Sequence, residues 1–433
     1  SSASHITKKF PNHPSSYNVL GGVYKKTDRL SELVIVSEKV VELSPKDAEA
    51  HSNLALALNE LGRLEEAELS YMRALKLKPD FVEVYRDLGN TLRELGKLEA
   101  SAESFRQAIT LKPDFAESYN NLGITLQELG KLEEAEASYR RAITLKPGLA
   151  AAYLNMGITM MEKGDSNGAI DIYIKALKVE PGYTQAYTLM GVALSRVIFT
   201  EPNPGIQEII TSMLDHKTYV RPQDISIAAM SLLKFEPTIK ALIEIQLARE
   251  LKPSLQNIIA DLSEIPLLLK LMSVSPLADL ELEAILTDIR SDLLSSVLEI
   301  PGTSAVLRFQ SALALHCFTN EYIYVQTDSE SEKLKAIEAL VKESLLKGKQ
   351  PSPQAILCLA TYRALLEYEW SDLLTVTADI EDVFIRQVVE PKEETNLKSN
   401  ILVLHEITNT VSLKVRDQYE KNPYPRWVSL GLP

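Results

Sequence analysis

Residues 116–149 read AESYNNLGITLQELGKLEEAEASYRRAITLKPGL, and the same 34-residue pattern extends in both directions from them. Pro147 is one of six prolines in this register, with Pro11, Pro45, Pro79, Pro113 and Pro181. A fixed period of this length marks a solenoid, whose units bury their apolar faces by stacking on one another. Each unit is numbered here from the third residue after its proline. Position four is then Tyr17, His51, Tyr85, Tyr119, Tyr153 and Tyr187, and position seven is Leu20, Leu54, Leu88, Leu122, Met156 and Met190. Residues at i and i+3 share one helical face. Position eight is small (Gly21, Ala55, Gly89, Gly123, Gly157, Gly191), which lets a neighbouring helix approach. Gly62, Gly96, Gly130 and Gly164 end the first helix. The second helix repeats an aromatic (Tyr71, Phe105, Tyr139, Tyr173) and an alanine (Ala74, Ala108, Ala142, Ala176) before the proline closes the unit.

This pattern resembles the tetratricopeptide repeat (TPR) family. The expected fold is all-α: a TPR superhelical solenoid over residues 14–196, then an irregular helical domain over 197–415. Residues 48–183 hold four good repeats. Residues 14–47 hold a decayed one, with Asp28, Leu33, Ser37 and Val40 at diagnostic positions. A sixth first helix is expected at 184–196, and residues 1–13 read as a lead. Terminal repeats cap the stack and are atypical for that reason.

The chain has 433 residues, enough for two or more domains, and a net charge of −13. That charge argues against a nucleic-acid surface, which needs clustered Lys and Arg. Two cysteines, Cys317 and Cys358, point to a reducing compartment, and a cytoplasmic location is expected. No membrane span is expected, because the greasiest run, Ile265–Met272, is short and interrupted by Lys270.

Beyond Thr200–Pro204 the period is lost. Helices are expected at 205–215, 222–232, 237–249, 254–271, 278–297, 302–318, 330–347, 352–367, 371–389 and 397–420. Asp279 reads as a helix start and Gly348 as a helix end. Tyr322–Gln326 is the best short strand candidate.

First helices line the concave face of such an array. Position six reads Val19, Asn53, Asp87, Asn121, Asn155 and Leu189, and stacked repeats align these side chains as a ladder. An Asn amide both donates and accepts, which matches one peptide unit of an extended chain. The ladder resembles the peptide-holding groove of O-linked N-acetylglucosamine transferase, although Asp87 accepts without donating. Positions five, nine and twelve add Asn120, Asn90, Arg86, Arg93, Asn59 and Gln127. The expected peptide-binding set is Asn53, Arg86, Asp87, Asn90, Arg93, Asn120, Asn121 and Asn155. Position five (Ser52, Arg86, Asn120, Leu154) lacks the pattern of a carboxylate clamp. Acids at position thirteen (Glu60, Glu94, Glu128, Glu162) read as a solvated face.

Catalytic motifs are missing. Gly89…Gly96-Lys97 spaces its glycines too widely for a phosphate loop, and no HExxH, CxxC or G-x-S-x-G occurs. His316 and Cys317 are adjacent on an expected helix and read as buried core. No catalytic residue, metal site or resident cofactor is expected within the chain.

Three stretches carry a second resemblance: Phe309–Tyr322 (FQSALALHCFTNEY), Arg386–Glu394 (RQVVEPKEE) and Val415–Trp427 (VRDQYEKNPYPRW). Over roughly residues 260–428 the chain is similar to the middle region of bacterial TPR-linked methyltransferases. There the last motif leads into a class I S-adenosylmethionine-dependent domain. The resemblance implies S-adenosylmethionine as cofactor of such a domain, and it makes residues 416–433 a linker. It also suggests that Tyr419, Tyr424, Arg426 and Trp427 dock against that domain. No strand–glycine-loop–strand appears before Pro433, so the catalytic domain is expected to have been cut away or lost. The expected function is a TPR module that recruits a protein or extended peptide as substrate for that domain. A stand-alone scaffold, which could form a homodimer, and the TPR region of a glycosyltransferase-type enzyme remain as alternatives.

Overall fold

The computed structural model describes residues 9–215, 220–248 and 253–399, and among these it is helical without strands. By its internal contacts the chain divides into two units, Ser1–Ala193 and Leu194–Pro433.

The first unit is a run of helix pairs: α1 (Pro14–Lys26) with α2 (Leu30–Leu43), α3 (Ala48–Glu60) with α4 (Leu64–Leu77), and α5 (Val82–Glu94) with α6 (Leu98–Leu111). Then come α7 (Ala116–Glu128) with α8 (Leu132–Leu145), α9 (Ala150–Glu162) with α10 (Ser166–Val179), and a lone α11 (Thr184–Leu194). From α1 to α10 each helix packs on the next in sequence. The period is visible in the turn chemistry. Gly130 has φ +73°. Its amide donates to the Gln127 carbonyl at 2.8 Å, and the Lys131 amide reaches Leu126 at 2.8 Å. A left-handed residue just past the helix end makes these bonds, and glycine adopts it without a Cβ penalty.

The small residue at position eight has a specific cause. A Cβ on Gly89, Gly123 or Gly157 would lie 2.8, 2.6 or 2.3 Å from the ring of Phe105, Tyr139 or Tyr173. These rings are fully buried, and each is flanked by fully buried alanines such as Ala135 and Ala142. Ring-on-glycine packing therefore sets how closely the two helices of a repeat approach.

The decayed repeat keeps the helix pair but changes its contacts. Asp28 takes the left-handed turn position at φ +55°, a conformation that Asp tolerates better than most residues with a Cβ. Ser37 stands where the other repeats carry the ring, and a Cβ on Gly21 would meet Leu33 at 3.4 Å and Val36 at 3.9 Å instead.

The second unit runs α12 (Pro204–Asp215), α13 (Pro222–Leu233), α14 (Pro237–Ala248), α15 (Leu255–Ser263) and α16 (Pro266–Val274). It continues with α17 (Leu280–Ser296), α18 (Ser304–Thr319), α19 (Asp328–Leu346) and α20 (Pro353–Ala360). A short helical stretch (Glu381–Phe384) then passes through one π turn (Ile385–Val389) into α21 (Glu390–Ser399). Central α18 packs on α15, α16 and α20. Asp279 starts α17 by accepting from the Glu281 and Leu282 amides, and Gly348 follows α19 with φ +70°.

Four sequence expectations need correction. The single helix at 254–271 is two, because Pro266 begins a new one at N1 with Glu264 and Ile265 as the break. The helix at 352–367 stops at Ala360, and the chain continues through turns that bury Tyr362, Leu365 and Trp370. Within 371–389 only the last residues are helical in any length. Tyr322–Gln326 is not a strand. Glu321 and Tyr322 turn the chain at φ +54° and +55°, and polar ties to α17 and α18 hold the loop. The expected helix at 397–420 lies mostly outside the described residues.

Candidate functional site

The groove positions fall on α3, α5, α7 and α9, and two asparagines of the ladder, Asn155 and Asn121, are joined through Asn120, with Asn90 beyond. Asn155 donates to Asn120 at 3.1 Å, Asn120 to Asn121 at 3.3 Å, and Asn121 to Asn90 at 3.1 Å. A chain of amides thus crosses three repeats from α9 to α5. Thr91, Thr125 and Thr159 stand four residues after the position-six residue and are fully buried. Each returns its hydroxyl to the carbonyl of Asp87, Asn121 or Asn155, which fixes the helix turn beneath the ladder. An amide has two N–H groups and two lone pairs. Asn121 and Asn155, both half-buried, therefore keep donor and acceptor capacity after these bonds. Asn53 is exposed and bonds to nothing among the described residues.

Asp87 breaks the chain. It accepts from Arg86 Nε at 2.8 Å and from no asparagine. Burial pushes its carboxyl above the usual range, and Arg86 pulls the other way. Val19 and Leu189 end the ladder with apolar side chains, Val19 well exposed and Leu189 half-buried.

A second ladder was missed in the sequence. Position twelve of one repeat bonds position thirteen of the next. Lys25 pairs with Glu60 at 2.9 Å, Arg93 with Glu128 at 3.5 Å, and Gln127 donates to Glu162 at 2.7 Å. Asn59 is too short for this and donates instead to Thr91 at 2.9 Å. Glu60, Glu128 and Glu162 are therefore inter-repeat acceptors as well as part of a solvated edge. Their 35-residue offset was readable, since each acid follows a donor by one period plus one.

In the second unit, His316 and Cys317 are fully buried. Burial pushes the Cys317 thiol up to about 12, so it stays protonated and is no nucleophile. His316 Nε2 lies 2.7 Å from the Tyr324 hydroxyl and 3.3 Å from Glu283. Tyr324 donates its one hydroxyl proton to Glu283. The Asn320 amide nitrogen also lies 3.1 Å from His316 Nε2. Arg290 lies between the Tyr324 and Tyr362 rings, 4.9 and 4.3 Å from their centroids, and donates to the Val325 carbonyl at 3.2 Å. This cluster fastens the 320–327 loop. Two stretches of the second resemblance also meet here. Gln387, fully buried, donates to the Ala314 carbonyl of α18 at 3.0 Å and to Ala360 at 3.2 Å. Tyr419, Tyr424, Arg426 and Trp427 lie outside the described residues. Among the described residues no group of three His, Cys, Asp or Glu is placed to hold a metal ion. Among them, too, no helix is long and apolar enough to cross a membrane.

Family profiles described as tetratricopeptide repeat match residues 48–81, 116–149 and 150–183, and one described as TPR repeat matches 89–130. No curated protein matches the chain. Among solved structures it is similar to MamA (24% identity, 37% of this chain and 94% of that one, TM-score 0.36). It is also similar to YrrB, described as a TPR protein with an unusual peptide-binding site (20%, 43% and 96%, TM-score 0.37). A third is PilF of Pseudomonas aeruginosa (18%, 55% and 96%, TM-score 0.38). Residues 48–183 of this chain are a tandem array of tetratricopeptide repeats.

Proposed function

We propose that the repeat array is a protein-interaction module that holds an extended segment of a partner along Asn53, Asn90, Asn120, Asn121 and Asn155. The observation that carries this reading is the amide chain from Asn155 to Asn90, which orders the side chains while leaving each hydrogen-bonding capacity to spare. Arg86, Asp87 and Arg93 add charged contacts on the α5 portion of the groove. Each rung contributes about 1 kcal/mol net, so affinity grows with the number of repeats engaged. Affinity capture of partners, comparing the chain with its Asn121→Ala/Asn155→Ala variant, tests the reading. Recovery should fall several-fold, and unchanged recovery overturns it.

The finer reading is that the module presents its partner to a class I S-adenosylmethionine-dependent methyltransferase domain carried in the same polypeptide. The likeness of residues 309–322, 386–394 and 415–427 to TPR-linked methyltransferases supports it. In this reading Tyr419, Tyr424, Arg426 and Trp427 anchor that domain by aromatic and cationic contacts. Tethering raises the effective concentration of the bound substrate without new chemistry. Calorimetry with S-adenosylmethionine should show binding to a form extended past Pro433 and none to the present chain. No binding to the extended form sinks this reading and leaves the interaction module untouched.

A further inference from the structure

The first repeat carries a cavity where its sister repeats carry a ring. Its volume is about 280 Å³, and it lies between α1, α2 and α3. Leu33, Val36, Val40 and Leu56 line its apolar part. Ser37, buried, lines it at the position held by Tyr71, Phe105, Tyr139 and Tyr173 in the following repeats.

Three of the surrounding positions have direct counterparts in a later repeat. In the fourth repeat Tyr139 packs on Gly123, and its hydroxyl donates to Gln127 at 3.1 Å, beside Thr159 of the next repeat. The equivalents three periods earlier are Gly21, Lys25 and Ala57, and all three line the cavity. Leu33, which stands where the later repeats carry Ala67, Ser101, Ala135 and Ala169, and Val36 cover Gly21 at 3.4 and 3.9 Å from an added Cβ, and the cavity is the part of the ring site they leave open beside Ser37. It is larger than an apolar cavity of about 150 Å³ that admits benzene. It also adjoins the proposed groove, since Asn18 and Asn53, both exposed groove positions, form part of its lining.

We propose that this pocket receives an aromatic side chain of the extended partner, seated against Leu33 and Val36 beside Ser37, where the repeat aromatic is missing. The Asn18 and Asn53 amides would bond the peptide units flanking that side chain. The partner class is thus an extended peptide with a tyrosine or phenylalanine anchor at the amino-terminal end of the array. This deepens the groove reading and rests on it for the rest of the peptide.

The probe is N-acetyl-tyrosinamide, titrated into the full chain and followed by amide NMR, with N-acetyl-alaninamide as control. The tyrosine amide should shift Gly21, Gly22, Asn53 and Leu56, and the alanine amide should not. Ser37→Tyr restores the ring, so it should weaken probe binding by at least about tenfold, as when an anchor loses its pocket, without lowering the melting temperature. Gly22→Met fills the same space from α1, where an added Cβ meets nothing within 4 Å. It should also weaken binding, and it carries the test should Ser37→Tyr fail to fold. Absence of binding, shifts elsewhere, or undiminished affinity in both filled variants overturns the pocket. The Asn121→Ala/Asn155→Ala variant should bind the probe normally, so failure of the groove and failure of the pocket are read separately.

Discussion

The two units fix most of their helix starts by different means, although in the repeats Asp47 caps α3 and Asp165 caps α10. In the repeats, α7 starts after Phe115 and α8 after Lys131 with no capping side chain. Backbone carbonyls of the tight turn serve α7 instead: the Ala116 amide bonds to Asp114 at 3.1 Å and the Ser118 amide to Phe115 at 3.0 Å. In the second unit Ser254, Asp279, Thr303, Thr327 and Ser352 each cap a helix through a side-chain oxygen. A periodic stack reproduces one turn geometry in every unit and can rely on it. A non-repeating unit has no such template, and its helix starts are specified one by one, by a capping side chain or, at α13 and α16, by a proline at N1. The core contact that recurs in the repeats is a buried ring on a glycine.

The largest expected effect comes from erasing that contact. Tyr173→Ser gives the fifth repeat the chemistry of the first and opens a cavity beneath a fully buried position. A loss of about 3–5 kcal/mol is expected, as for other buried aromatics cut back, read as a lower urea midpoint. A loss under about 1 kcal/mol, within the range of an ordinary surface change, would show that the ring does not hold the repeat together.

The next effect separates two glycines that look alike in the alignment of repeats. Gly157→Ala places a Cβ 2.3 Å from Tyr173 Cε1. The ring is enclosed and cannot swing away, so overpacking should cost about 1–3 kcal/mol. Gly21→Ala meets Leu33 at 3.4 Å, an ordinary contact. It should be neutral or stabilise by up to about 1 kcal/mol through helix propensity. Equal melting temperatures for the two variants would break the distinction.

This contrast also shows how far the sequence could be read. The repeats were legible because every position recurs, so each residue type was tested several times over. The ladder positions were legible for the same reason. Their partners were not: whether Asn155 reaches Asn120 or the solvent depends on side-chain reach, which no register encodes. Ser37 was visible as a departure, but the cavity it leaves requires the ring geometry of the neighbouring repeats. In the second unit each element appears once. Pro266 did signal a helix start, yet it sat inside an apolar run that read as one helix. Tyr322–Gln326 had strand composition, but burial of the Glu283–Tyr324–His316 cluster decided its path.

The capping contrast itself gives a smaller effect. Thr327 accepts from the Glu330 amide while Glu330 accepts from the Thr327 amide at 2.8 Å. Burial raises the Glu330 carboxyl, but the Thr327 and Tyr362 hydrogen bonds with Arg290 outweigh it and leave it lowered. That contribution is present above the ordinary glutamate range and is lost as pH falls through the lowered value. Thr327→Ala should cost about 0.5–2 kcal/mol at neutral pH, and less in acid. Lys131→Ala, at an uncapped start in the repeats, should stay within about 0.5 kcal/mol of the parent. Equal losses would show that the two units do not differ in this respect.

The smallest effect lies at the break in the amide ladder. Asp87 is raised by burial more than Arg86 lowers it, so its ionised form opposes folding. That opposition is complete above the raised value and fades as pH falls toward the ordinary aspartate range. Asp87→Asn removes the buried charge. It leaves Arg86, whose side chain is one third exposed, to water, and it supplies the missing donor between Asn53 and Asn121. A gain of about 0.5–1 kcal/mol, one net hydrogen bond at most, is expected at pH 7. The advantage should shrink as pH is lowered, because the parent then becomes neutral too. Tighter partner capture together with this pH dependence would mean that continuity of the ladder matters for binding. A stability gain with unchanged capture would place the contact at Asp87 outside the path of the bound segment, and would confine the groove to Asn90, Asn120, Asn121 and Asn155.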